Sequence, residues 1–152
     1  MLLLALQDHT KCASALAGRP VSHWAIVPSL PAKPYDHPLR VLVAGQAYGL
    51  EAPLTAATSV SQPRSVNPDH FTCSLQLPPG SHVLLIDDTW TTGGHAQAGV
   101  LALRKAGAAN VSMLVVARWL KEDYGDNKRF IADLGKRDYK PNICPWTSAS
   151  CP

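Results

Sequence analysis

Apolar positions along this chain fall into short uninterrupted runs, and the runs alternate between strand-like and helix-like texture. Residues 24–27, 83–86 and, apart from Ser112, 111–117 are apolar segments rich in β-branched residues and leucine, the pattern of strands covered on both faces in a parallel sheet. Between the last two, residues 96–106 carry Ala, Val100, Leu101 and Leu103 at helical spacing and close at Gly107. Strand, helix and strand within ~35 residues make a βαβ unit, a connection that crosses over right-handedly. Residues 2–17 combine Leu and Ala up to Gly18-Arg19-Pro20 and predict one helix stopped by glycine and proline. A chain that opens on an apolar helical face is expected to have relatives that extend further at the N-terminus.

The remaining segments are punctuated by proline. Pro38 is placed as a first-turn helix proline with Asp36 or His37 near the cap, and a helix is expected over 39–50, weakened by Gly45 and Gly49. Residues 51–71 are rich in Ser, Thr and Pro and predict an irregular cover with one short strand near Leu54. A strand follows over 72–77, then a Pro78-Pro79-Gly80 turn that feeds the 83–86 run. The C-terminal part holds one helix over 127–134.

Composition narrows the class. With 152 residues, 46% of them hydrophobic, the chain makes one domain, residues 1–152, with a core over 23–119 and a C-terminal tail over 120–152. The net charge of +3 comes from scattered Lys and Arg with no basic stripe, so nucleic acid is not an expected partner. Met1-Leu-Leu-Leu-Ala-Leu6 lacks a basic flank and a cleavage pattern, and it is too short to span a bilayer. No membrane association is expected, and the apolar first helix offers a face for a homodimer. Cys12, Cys73, Cys144 and Cys151 are too sparse for a disulfide scaffold, which fits a cytoplasmic location. Cys144 and Cys151 enclose six residues rather than the short spacing of zinc ribbons, and His9, His23, His37, His70 and His82 share no spacing. Free thiols or a packing tail are expected there, and zinc is not.

Chemistry concentrates after the 83–86 strand, in Asp87-Asp88-Thr89-Trp90-Thr91-Thr92-Gly93-Gly94-His95. Polar residues begin where the strand is expected to end, and in open α/β sheets ligands sit in the crevice beyond the carboxyl ends of strands. Gly93-Gly94 before a helix lets several backbone N–H groups aim at one point where the helix dipole adds positive potential, which makes a phosphate cradle. Thr89, Thr91 and Thr92 add hydroxyl donors. Asp87 and Asp88, acceptors when ionised, suit paired sugar hydroxyls. A diol on one side and a phosphate on the other describe a ribose 5-phosphate. No Gly-x-x-x-x-Gly-Lys-Ser/Thr and no Gly-x-Gly-x-x-Gly after a strand is present.

This segment resembles the phosphoribosyl pyrophosphate (PRPP) signature of type I phosphoribosyltransferases, in particular their competence-protein-F-like branch. Ile26-Val27-Pro28-Ser29, Arg64-x-x-Asn67-x-x-x-Phe71 and Ala117-Arg118-Trp119 resemble flanking segments of that branch, so the likeness spans residues 23–119. It implies an α/β fold of the type I phosphoribosyltransferase kind, a mainly parallel twisted sheet flanked by helices under a small irregular hood. It further implies that Asp87 and Asp88 hold the ribose hydroxyls and act catalytically by countering oxocarbenium charge, with Thr89 beside them. Thr91, Thr92, Gly93 and Gly94 would hold the 5-phosphate, and Pro28 and Ser29 would meet the pyrophosphate through magnesium. Arg64, Asn67, Phe71 and Lys33 are candidate contacts to the base or pyrophosphate. His95 stands where the family more often has Thr or Ser, and an imidazole N–H can replace that hydroxyl as a donor.

The implied reaction displaces pyrophosphate from PRPP by a nitrogenous base or amine. Arg64 is the one Lys or Arg between Glu51 and His70, where many catalytic relatives carry a longer loop with several. A non-catalytic PRPP- or nucleotide-binding regulatory module therefore stays open as an alternative, as does a DNA-uptake role on family resemblance alone.

Overall fold

The computed structural model describes residues 2–136, 140 and 142–152. Its centre is strand β5 (His82–Trp90), with β1 (His23–Ile26) on one side and β6 (Asn110–Arg118) on the other. A short strand β2 (Leu50–Glu51) adds beyond β1, giving a four-stranded, wholly parallel sheet in the order β2-β1-β5-β6. The β-branched and leucine content of residues 83–86 accounts for this position, since each is at most 1% exposed. Burying a side chain of that size stabilises the fold by roughly 1.5–3 kcal/mol.

Alternation along the strands sorts the core into two layers. Val83 and Leu85 share a cluster with Ala25, Val27 and the buried face of helix α4 (Gly94–Lys105), including Ala98, Ala102 and Leu103. Leu84 and Ile86 point the other way and pack with Trp24, Ile26, Leu39 and Val43, the last two from helix α3 (Pro38–Val43). Leu6 and Ala13 from helices α1 (Leu2–Asp8) and α2 (Thr10–Ala17) complete this second layer. An α/β architecture with a parallel sheet flanked by helices is therefore present. Strands β3 (Leu54–Ala56) and β4 (Phe71–Cys73) form a separate antiparallel pair over the α4 side. Helix α5 (Asn127–Leu134) matches the span expected from sequence. Its Phe130 ring lies under the Arg118 guanidinium, 5.2 Å from centroid to carbon, so Arg118 ties the tail to the end of β6.

Several expectations change. The single helix over 2–17 is two helices broken at His9, whose backbone (φ −118°, ψ 0°) leaves the helical region. The helix over 39–50 stops at Val43, where Ala44 (ψ 124°) leaves the helical region, and Gly49 (φ +87°) then passes so close to the Ser22 carbonyl that no Cβ fits as the chain comes to pair with β1. The strand expected over 72–77 ends at Cys73. The central strand is longer than 83–86 and continues through the acidic pair to Trp90. No helix among the described residues is long and apolar enough to cross a membrane.

His82 opens β5 fully buried and fully partnered. Its Nδ1 lies 3.1 Å from the Arg19 carbonyl and its Nε2 2.9 Å from Ser112 Oγ. The carbonyl can only accept, so Nδ1 carries the hydrogen and Nε2 accepts from the serine hydroxyl. The ring joins the end of α2, β5 and β6, a structural use of histidine.

Candidate functional site

The site is set by a difference in strand length. β1 runs in register with β5 only to Ile26 opposite Ile86, and the last bond across the pair is Val27 N–H to the Ile86 carbonyl at 2.9 Å. Pro28 has no N–H to continue the ladder. From Asp87 onward β5 is paired on one side only, with Asp87 opposite Val115 and Trp90 opposite Arg118. The acidic pair thus overhangs the end of β1, in the crevice where open α/β sheets bind ligands. It does so from within the strand, not beyond it, which corrects the expected boundary.

Being adjacent in a strand, Asp87 and Asp88 project to opposite faces. Asp87 follows Val83 and Leu85 toward the α4 layer and is 7% exposed. Burial pushes its carboxyl up to about 6, and the neighbouring Asp88 charge pushes the same way. The N–H groups of Asp88 and Thr89, and less so the nearby His37, pull in the other direction. Asp88 follows the α3 face, where its Oδ2 lies 3.6 Å from His37 Nε2. His37 caps α3, accepting from the Leu39 N–H on Nδ1 at 3.3 Å, so its hydrogen sits on Nε2 and points at Asp88.

After Trp90 the chain turns into α4 through Gly93 (φ +80°), which has no side chain to cap the helix. Neither glycine can be replaced without displacement. A Cβ on Gly93 would run into the Trp90 ring, and one on Gly94 into the Arg64 carbonyl oxygen. The N–H groups of Gly94, His95 and Ala96 form no hydrogen bond among the described residues, as expected of a first helical turn. Thr89, Thr91 and Thr92 are exposed around them.

The hood leans on this turn. His70, Phe71 and His95 stack edge to face in a row, with centroids 6.4 and 6.2 Å apart. His95 Nε2 is buried there without a partner, as is His70 Nδ1. Phe71 is thus part of the hood core, while Asn67 caps the short 3-10 helix Pro68–His70 by accepting from the Asp69 N–H at 2.9 Å. The Arg64 side chain is exposed and contributes its carbonyl, not its guanidinium, to the glycine turn.

On the α3 side, Pro28, Ser29 and Lys33 line a cavity of about 270 Å³ together with His37, Arg40 and Glu51. Sequence reasoning missed the last three as site residues, although Pro38 had located the helix that holds Arg40 and is capped by His37. Arg40 is occupied by Glu51 through two bonds of 2.6 and 2.9 Å, and by Asp36 at 3.0 Å. Of the basic side chains lining this cavity, Lys33 is the one that forms no ion pair among the described residues.

The expected metal chemistry is corrected. Among the described residues, the one group of three or more metal-ligating side chains is His9, Cys12, Cys144 and Cys151, whose donor atoms all lie within 4.8 Å of one another. Three sulfurs and an imidazole form the donor set that zinc takes, not the oxygen set that magnesium takes. Each residue is visible in the sequence, but 131 positions separate Cys12 from Cys144, so no short-range spacing announces the group. No protein-family model, curated protein or solved structure matches the chain.

Proposed function

We propose that the protein binds a 5-phosphorylated ribose, PRPP above all, at the overhanging end of β5. There it transfers the phosphoribosyl group to a nitrogenous base or amine and releases pyrophosphate. The observation that carries this reading is the meeting of Asp87 and Asp88 with the uncapped first turn of α4 behind Gly93-Gly94. The N–H groups of Gly94, His95 and Ala96 and the hydroxyls of Thr91 and Thr92 supply donors for the 5-phosphate. Asp87 and Asp88 accept from the ribose hydroxyls, and because they face opposite sides of β5 the sugar lies across the strand end. The resemblance to type I phosphoribosyltransferases, which carries with it their fold and a cytoplasmic location, points the same way.

In the reaction the anomeric C–O bond breaks, its electron pair leaves with pyrophosphate, and the acceptor nitrogen's lone pair forms the new bond. Carboxylates next to the ring counter the positive charge that develops on the sugar. Pro28, Ser29 and Lys33 lie on the cavity side available to the leaving group. One observation favours a second reading, a regulatory module that binds PRPP without turning it over. Arg40, the strongest cation in the cavity wall, is already neutralised by Glu51 and Asp36. Pyrophosphate release measured across purines, pyrimidines and amines separates the two, since the enzyme reading requires release with at least one acceptor. Loss of that release in Asp87→Asn/Asp88→Asn ties it to this site.

A further inference from the structure

We infer that His9, Cys12, Cys144 and Cys151 form a structural zinc site that fastens the C-terminal tail to the break between α1 and α2. Tetrahedral zinc, with Zn–S of about 2.3 Å and Zn–N of about 2.0–2.1 Å, requires neighbouring sulfur and nitrogen donors about 3.6 Å apart. His9 Nδ1 lies 3.7 Å from Cys12 Sγ and 3.5 Å from Cys151 Sγ. All four donor atoms fall within 4.8 Å. Two ligands from one end of the chain and two from the other therefore already stand close to the geometry of a bound ion.

The local folding of both ends is explained by that convergence. His9 interrupts what the sequence predicts as one helix, and its carbonyl caps α2 by accepting from the Cys12 N–H at 3.0 Å. The break turns the imidazole and the thiol three residues later toward one point. At the other end, the loop after Cys144 has no regular structure, yet it closes on itself through Ser148 N–H to the Cys144 carbonyl and Cys144 N–H to the Ala149 carbonyl, both 2.9 Å. Ser148 takes a left-handed conformation to do so (φ +56°). The closure carries Cys151 back beside Cys144, their sulfurs within 4.8 Å of each other.

Burial marks the site as structural rather than catalytic. Cys144 is wholly buried, Cys12 and His9 nearly so, and Trp146 packs against the second core layer. Four protein ligands fill the tetrahedron and leave no position for water or substrate. All the cysteines are free thiols, so no disulfide does this work. Cys73, held apart in β4, is the internal control.

The test is metal content of the full chain, by mass spectrometry after exhaustive dialysis, together with cobalt substitution and thiol counting. About one zinc per chain is expected, with intense visible bands of tetrahedral cobalt and thiolate-to-cobalt charge transfer. Only Cys73 should react with a thiol reagent until a chelator is added, after which all four cysteines react. Cys151→Ser, at the exposed ligand, should lose most of the zinc, whereas His9→Cys should retain it with a stronger charge-transfer band. Cys73→Ser should change nothing in metal content. Wild-type protein that is folded as isolated yet holds no zinc, takes up no cobalt into a tetrahedral thiolate site, or pairs any of the three cysteines as a disulfide would overturn the assignment.

Discussion

Asp87 carries its charge where the fold resists it. Burial and the adjacent Asp88 raise its carboxyl from 3.8 to about 6. As pH rises through that window, the unfolded chain gives up the proton first, so the folded state binds more protons and stability falls until about pH 6. This is the reverse of a salt-bridged carboxylate. Asp87→Asn is therefore expected to stabilise the ligand-free protein above pH 6 by on the order of 1–2 kcal/mol after allowance for solvent screening, and to be neutral below the unfolded value. Denaturant midpoints measured at both ends of that range check the sign, and a destabilised Asn variant at neutral pH would refute it. The sequence makes Asp87 and Asp88 visible as a pair, but not their division. One is buried on the α4 face and one lies beside His37 on the α3 face, a distinction that follows from β5 running on through them.

Among the elements, the turn between β5 and α4 is the tightest point. Gly94→Ala would drive a methyl group into the Arg64 carbonyl, and the hood would have to lift from α4 to admit it. A loss of about 1–3 kcal/mol is expected from such overpacking, together with weakened ligand binding, and chemical denaturation with a PRPP titration reads both. Gly107→Ala, at a position with positive φ (+106°), would strain a turn outside the site and should spare binding. The strands and α4 were legible because uninterrupted apolar runs and helical spacing are local signals. Element ends were less so. The helix break at His9, the stop at Val43 and the two-residue strand at Leu50–Glu51 depend on partners distant in sequence, namely the tail, Ser22 and β1. The same holds for Arg40 and Glu51, which meet across 11 positions in a cavity wall that no motif encodes.

At the scale of the whole molecule, the tail completes the body. Trp146 packs on the layer built by Leu6, Ala13, Leu84 and Ile86, so Trp146→Ala should cost about 2 kcal/mol and lower the melting temperature by several degrees. Removal of zinc by a chelator should destabilise the wild-type chain and do so much less in Cys151→Ser, because the ion closes the contact between the two ends. The sequence placed the cysteines but not this closure, since the ligands converge only when α1, α2 and the tail are all packed. The central claim, however, concerns the overhanging end of β5. Its most direct test is a calorimetric titration of the full chain with PRPP and with ribose 5-phosphate, with and without divalent cations, alongside Asp87→Asn/Asp88→Asn. Saturable binding to the wild-type chain, lost in the double variant and raising the melting temperature by about 5–10 °C at a hundredfold excess over Kd, is the expected result. No heat of binding and an unchanged melting curve at saturating PRPP, for a protein shown to be folded, would contradict it.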